Sequence, residues 1–492
     1  MEKVCIILAT LIFSSIYSLK LSKKFNIPTL IIYLGVGMLA GSEGFGGIEF
    51  DNAELAQFIG NMALCIILFS GAYNTDIKEV SAVKKEGLAL AFAGVFFNTV
   101  LVAVPIYFFT PFDFFGALLF GAIVSSTDAS AVMSILSFGG LNIKDRVRGI
   151  LKLESGTNDP MANVIIILLI NIIKLGNVGI LQGLVFLSLQ ILVGAVAGFI
   201  FSKVTVKFIE KFEIKMQELH QLIILGAILF TYGSTNILKG NGFMAIYILG
   251  ITLGNTSLSY RRNIGRFFGS LSWMVEVGMF VMLGLLVFPS RFLAIWKLGL
   301  AVSLVLIFLA RPLSVFITLS KSGLNKEEKL FIAWGGLKGA VPIVFATFPL
   351  VEGIVNAELI FNLVFFVVLL SVIFQGMTLP FASSYLGLKE TRSKILEKGD
   401  LENLEYFEES LVKVKVRNEG AVAEKKISEI GLPKDILLIL INRKGKNILP
   451  KGDTVIESGD ELYILGESPE MVENYITRAL EKIGSKDQKQ QV

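Results

Sequence analysis

In the stretch LKLESGTNDPMANVIIILLI (residues 151–170), Glu154 and Asp159 stand at the head of a run that is otherwise apolar enough to cross a membrane. A charged side chain at the centre of a bilayer costs at least ~2.5–3.5 kcal/mol on insertion scales, so ionisable groups there either serve a function or hold one another in place. On a helix Ser155 and Asp159 lie four residues apart and share one stripe, while Glu154 and Asn158 share the next. Pro160 lacks an N–H and leaves the Gly156 carbonyl without its helical partner. One stripe therefore offers a carboxylate and a hydroxyl to a proton or small cation, and the neighbouring stripe can hold Glu154 against a basic group.

Two other apolar runs bring charges to the same depth. GAIVSSTDASAV (121–132) carries Thr127 and Asp128, and WGGLKGAVPIV (334–344) carries Lys338. Counted at 1.5 Å per residue from the ends of their spans, Asp159 lies roughly 16 Å in, with Asp128 and Lys338 at similar depth. Glu154 sits slightly nearer the basic side, and Lys338 is its natural partner, because an unpaired buried charge is costly. That pair is either a static scaffold or part of the working site. Glu276 in WMVEVGMF also falls in mid-span, where it lines a cavity or bonds a neighbouring helix. Arg311, beside Pro312 and about ten residues from Lys321, faces the same cavity or snorkels to the interface. Asn98 and Gln375 read as interhelical hydrogen bonds.

The elements that must position these groups are membrane spans. The chain has 492 residues, 53% of them hydrophobic and 17% charged, against about a quarter charged in soluble proteins. Thirteen apolar segments follow one another, roughly 4–20, 28–41, 55–74, 87–109, 114–138, 148–173, 178–202, 218–238, 242–256, 268–288, 293–319, 328–351 and 357–385. Twenty Lys and Arg lie in the loops after odd-numbered segments and five on the opposite side. The bias places the basic loops and the tail in the cytoplasm of a cell membrane, with the N-terminus outside. Thirteen divides as six, one and six, so segments 5 and 12 run in opposite directions, as in an inverted repeat with a midplane site between discontinuous helices. Their small and polar residues at 121–132 and 334–344 let the backbone unwind where it lines a cavity.

Three motifs together, ESGTNDPMA (154–162), SSTDASAV (125–132) and GGLKGAVP (335–342), resemble the monovalent cation–proton antiporters, in the branch of bacterial potassium/proton and sodium/proton exchangers. The resemblance spans residues 1–386. It implies a helical fold with two inverted six-helix repeats and crossed unwound helices, working by alternating access. It further implies that Asp159 carries the ion and the proton in turn, with Thr127, Asp128 and Ser155 around the cation. The family's Glu, here Glu154, pairs with an Arg at the position that Lys338 occupies. Lysine lacks the planar fork, so the pair is weaker or Lys338 titrates in its own right. Asn158 before Asp159, where electrogenic members carry Asp, implies one-for-one electroneutral exchange.

After a charged linker (387–409), residues 410–492 alternate strands and helices into a small α+β module. LPKDILLILINRKGKNILPKGDTVIESGDELYILG resembles the TrkA C-terminal domain, the second half of the regulators of potassium conductance. That likeness implies a homodimer and a small ligand between subunits, cyclic di-AMP in some relatives, or an assembly domain without ligand. The tail has no Gly-x-Gly-x-x-Gly, so no NAD is expected, and no nucleic-acid partner either. His220 is the sole histidine, which excludes a resident metal site built on two and any membrane HExxH protease. The reading is a secondary transporter, not an enzyme: a potassium/proton antiporter, with sodium/proton exchange as the alternative. A tail-gated potassium channel is the distant alternative, against which stands the lack of a TVGYG-like filter.

Overall fold

The computed structural model describes Phe13, residues 28–390 apart from 139–140, 177–178, 213–215, 257 and 259, and residues 411–416, 424–430, 436–443 and 446–466. Two compact units result, Met1–Glu390 and Thr391–Val492.

In the first unit each apolar segment from 28 onward is helical, and segment 4–20 lies outside the described residues. The helices run α1 (Thr29–Ala40), α2 (Ala53–Tyr73), a short α3 (Ile77–Ser81), α4 (Lys84–Phe109), α5 (Phe114–Ile123) and α6 (Ala129–Phe138). Strand β1 (Asn142–Ile143) leads into α7 (Asp145–Leu175), α8 (Ile180–Lys211), α9 (Gln217–Ile237), α10 (Gly242–Gly254) and α11 (Arg261–Leu285). Then come α12 (Pro289–Val305), α13 (Arg311–Thr318), α14 (Lys326–Trp334), α15 (Val341–Val351), α16 (Ala357–Tyr385) and strand β2 (Lys389–Glu390), which pairs antiparallel with β1. Among the described residues seven helical stretches are long and apolar enough to cross a membrane: α2, α4, α7, α8, α11, Ala294–Thr318 and α16.

Helix continuity follows local chemistry. α7 passes through Pro160 without breaking, whereas two apolar segments split. Residues 124–128 separate α5 from α6, and 335–340 separate α14 from α15. The Ser-Ser-Thr-Asp and Gly-Gly-Leu-Lys-Gly runs supply side chains and space for backbone groups that a helix no longer satisfies. The two breaks meet: the Asp128 N–H donates to the Leu337 carbonyl at 2.8 Å. Three π-turns interrupt other helices, at Leu90–Gly94 in α4, Leu306–Ala310 between α12 and α13, and Ser371–Gly376 in α16. Elsewhere glycines bring helices into backbone contact: a Cβ on Gly37 of α1 would stand 2.1 Å from the Val281 carbonyl oxygen of α11, and one on Gly284 2.3 Å from that of Leu34.

The second unit is an antiparallel sheet in the order β3-β6-β4-β5, from β3 (Leu411–Lys415), β4 (Ile436–Arg443), β5 (Lys446–Ile448) and β6 (Glu461–Gly466). A helical turn, α17 (Ile427–Ile430), packs beside it. Val416, Leu438, Ile441, Ile456, Leu462 and Ile464 form its core. Residues 467–492, the end of the α+β module expected over 410–492, lie outside the described residues.

Candidate ion site at the crossed helix breaks

The segment after α5 ends with free carbonyls, and the start of α6 with free N–H groups, as every helix end does. Each is met by the opposite charge. Asp128 Oδ1 accepts the Ala131 N–H at 3.0 Å and so caps α6. Lys338 reaches back with its ammonium to the carbonyls of Ser126 (2.9 Å) and Ser125 (3.3 Å). Its backbone N–H donates to Ser371 Oγ (3.0 Å), which donates to Gln375 Oε1 (2.6 Å), and Gln375 donates to the Trp334 carbonyl (2.9 Å). The π-turn of α16 thus buttresses the second break. Gln375, expected as an interhelical hydrogen bonder, makes that contact, whereas Asn98, expected to do the same, is buried with neither of its amide atoms hydrogen-bonded among the described residues.

α7 closes the site from the other side. Ser155 Oγ donates to the Thr127 carbonyl (2.9 Å) and accepts the Ala129 N–H (3.1 Å). Asn158 Nδ2 donates to Thr127 Oγ1 (2.6 Å), while its buried Oδ1 has no hydrogen-bond partner. The Ser126 hydroxyl donates to the Asp159 carboxylate. Gly339 is required here, because a Cβ would stand 2.3 Å from Asp128 Oδ2.

One pairing differs from expectation. Glu154 pairs with Arg311, not Lys338: two guanidinium nitrogens meet its two oxygens at 2.6 and 2.9 Å, with both side chains at most 3% exposed. Arg311 therefore neither snorkels nor lines the cavity. The physical reason is geometric, since the guanidinium fork matches a carboxylate bidentately and keeps its charge when buried, whereas a lysine suits the single cluster of carbonyls that the break frees. Arg311 directly follows the π-turn Leu306–Ala310, and Gly336 makes room, as a Cβ there would stand 2.4 Å from Arg311 Nε. An arginine within an apolar run was the available signal for this partner.

A cavity of about 360 Å³ opens beside these groups, lined by Thr127, Asp128, Ser155 and Asp159, and across from them by Glu276. It extends toward Asn74, Thr75 and Lys152, the end of α7 that carries Arg148. Lys152 is held by Glu79 at 3.3 Å. Thr127, Asp128, Ser155 and Asp159 thus face open space, while Asn158, Glu154 and Lys338 form the buried frame behind them.

Broken helices whose breaks meet beside buried carboxylates and an accessible cavity are the build of a secondary ion transporter. The profile of the transmembrane sodium/hydrogen exchanger family matches residues 8–384, and that of the TrkA-C domain residues 411–476. The chain is 35% identical over 475 residues to the K(+)/H(+) antiporter NhaP2 of Shewanella sp. (strain MR-4), covering 94% of this chain and 81% of the relative. It is 32% identical over 464 residues to the K(+)/H(+) antiporter NhaP of Alkalimonas amylolytica, covering 94% and 80%. The structure of the sodium proton antiporter MjNhaP1 from Methanocaldococcus jannaschii superposes with a TM-score of 0.70 at 24% identity, over 78% of this chain and 99% of that one. The protein is a membrane-embedded cation/proton antiporter, a secondary transporter and not an enzyme. It belongs to the sodium/hydrogen exchanger family and carries a TrkA-C domain.

Proposed function

We propose that the protein exchanges potassium for protons, one for one, with the two competing for Asp159. The observation that carries this reading is the Asp159 carboxylate on the cavity wall beside Asp128, in a frame whose own charges, Glu154, Arg311 and Lys338, are already engaged. A carboxylate can hold a proton or a cation but not both, which couples the two fluxes. Thr127 and Ser155 offer further oxygens, and Asn158 fixes Thr127. The names of the relatives at 32–35% identity favour potassium. Sodium is the second reading, favoured by the Na(+)/H(+) antiporter NhaH of Halobacillus aidingensis, 26% identical over 398 residues.

The cavity runs toward the side with the basic loops, so it opens to the cytoplasm in a chain of thirteen spans with the N-terminus outside. In this reading residues 1–386 transport, 387–409 link, and 410–492 regulate, as a homodimer and through a small ligand such as a cyclic dinucleotide. Liposomes holding the purified protein and a pH dye test the mechanism. Potassium is expected to drive proton movement with an uncoupler control intact, and Asp159→Asn to be silent. Potassium crossing without proton movement would end the exchange reading, and equal rates with sodium would end the potassium assignment.

A further inference from the structure

The cavity has two walls. One belongs to the crossed breaks and α7; the other belongs to α2 and α11. On α11 the lining residues are Ser272, Glu276 and Met279, spaced four and three apart, so one continuous helix face looks into the cavity with the carboxylate at its centre. α11 packs closely on α1 through glycines, Gly37 against Val281 and Gly284 against Leu34. Glu276 has no ion pair and accepts no hydrogen bond among the described residues, yet it lies within electrostatic reach of Asp128. An unpaired carboxyl in mid-span is expensive and marks an ion path.

Charge within the cavity is unbalanced. Its lining carries the carboxyl groups of Asp128, Asp159 and Glu276, and its one basic lining group among the described residues, Lys152, is bound to Glu79. Lys338 is committed to backbone carbonyls and Arg311 to Glu154. What neutralises these carboxyl groups is therefore not a fixed side chain but a proton or a mobile cation. At about 30 Å³ per water a cavity of about 360 Å³ has room for roughly a dozen molecules, enough for a cation with part of its hydration shell.

We infer that Glu276 is the cation ligand of the opposite wall, holding the ion directly or through water against Asp128 and Asp159, and that it sets affinity and the preference between potassium and sodium. The inference rests on the exchange reading above. Because Glu276 stands on α11 and Asp159 on α7, an ion held between them bridges two separately packed helices.

The test compares wild type, Glu276→Gln, Glu276→Asp and Asp159→Asn in liposomes, with potassium and sodium titrated separately. Glu276→Gln is expected to raise the apparent KM for potassium about tenfold or more and to change the potassium-to-sodium ratio, with maximal rate altered less than KM. Glu276→Asp, which keeps the charge, is expected to recover most of the affinity. A helix-packing role would lower the rate or the yield without that split. Wild-type KM and selectivity in Glu276→Gln would overturn the inference. Should that variant fail to fold, unchanged KM and selectivity in Glu276→Asp would overturn it equally. If wild type itself moves no protons, the exchange reading falls instead. Potassium-dependent thermal stabilisation of wild type against Glu276→Gln then still decides the ligand: an equal shift rejects it, and a lost shift supports it.

Discussion

A guanidinium and a carboxylate that are both almost wholly buried stand or fall together. Removing one leaves an uncompensated buried charge, which costs about 3–5 kcal/mol, whereas replacing both with apolar or neutral groups costs far less. Arg311→Met is therefore expected to lower the melting temperature sharply, and Glu154→Gln with Arg311→Met to recover much of the loss. A double-mutant cycle checks this, and the coupling should belong to Glu154 with Arg311 rather than to Glu154 with Lys338. Gly339→Ala tests the frame from another side. Its Cβ would collide with Asp128 Oδ2, so exchange is expected to fall by about tenfold or more in the liposome assay while the protein still inserts. The carboxylates Asp128 and Asp159 were readable from motif and depth alone. Arg311 as the partner of Glu154 was not, because the two lie 157 positions apart and nothing in local spacing chooses between Arg311 and Lys338. Only the hydrogen-bonding shapes of the two side chains decide.

At the level of elements, the working parts are irregularities in otherwise apolar helices. The breaks at 124–128 and 335–340 could be seen in advance, since small and polar residues interrupt an apolar run there. The π-turns could not: SVIFQG within α16 has no proline and reads as part of one continuous span. Its register still matters, because it aims Ser371 at the Lys338 N–H and Gln375 at the Trp334 carbonyl. Ser371→Ala leaves that buried N–H without an acceptor, at a cost of about 1–3 kcal/mol. The expected outcome is a lower melting temperature together with faster hydrogen exchange at residues 335–340, measured by mass spectrometry in detergent. Loss of stability without faster exchange in that segment would mean that Ser371 supports α16 alone.

Across the whole molecule, the chain leaving α16 folds back to pair Lys389 with Ile143, directly before the helix that carries Asp159, so the first unit is closed at its own C-terminal end. The second unit has its own small core and its own polar lock. Arg443 donates to both carboxylate oxygens of Asp460, at 2.8 and 2.9 Å, and the Glu457 N–H donates to the same carboxylate at 2.8 Å. Burial pushes the Asp460 carboxyl up, but these hydrogen bonds and the Arg443 charge outweigh it and hold the group below its ordinary value. A carboxyl lowered in the folded state adds stability that is present above the unfolded value, near pH 3.9, and is lost as pH falls through the folded value. The second unit should therefore loosen on acidification below about pH 4, starting at the turn between Ile456 and Asp460. Asp460→Asn is expected to cost about 1–3 kcal/mol at neutral pH and to remove this part of the acid dependence. Hydrogen exchange of residues 455–466 in the full-length protein, followed from pH 7 downward, measures both effects. If wild type and Asp460→Asn converge at low pH and separate at neutral pH, the lock is Asp460; parallel curves at every pH would assign the acid response to another group.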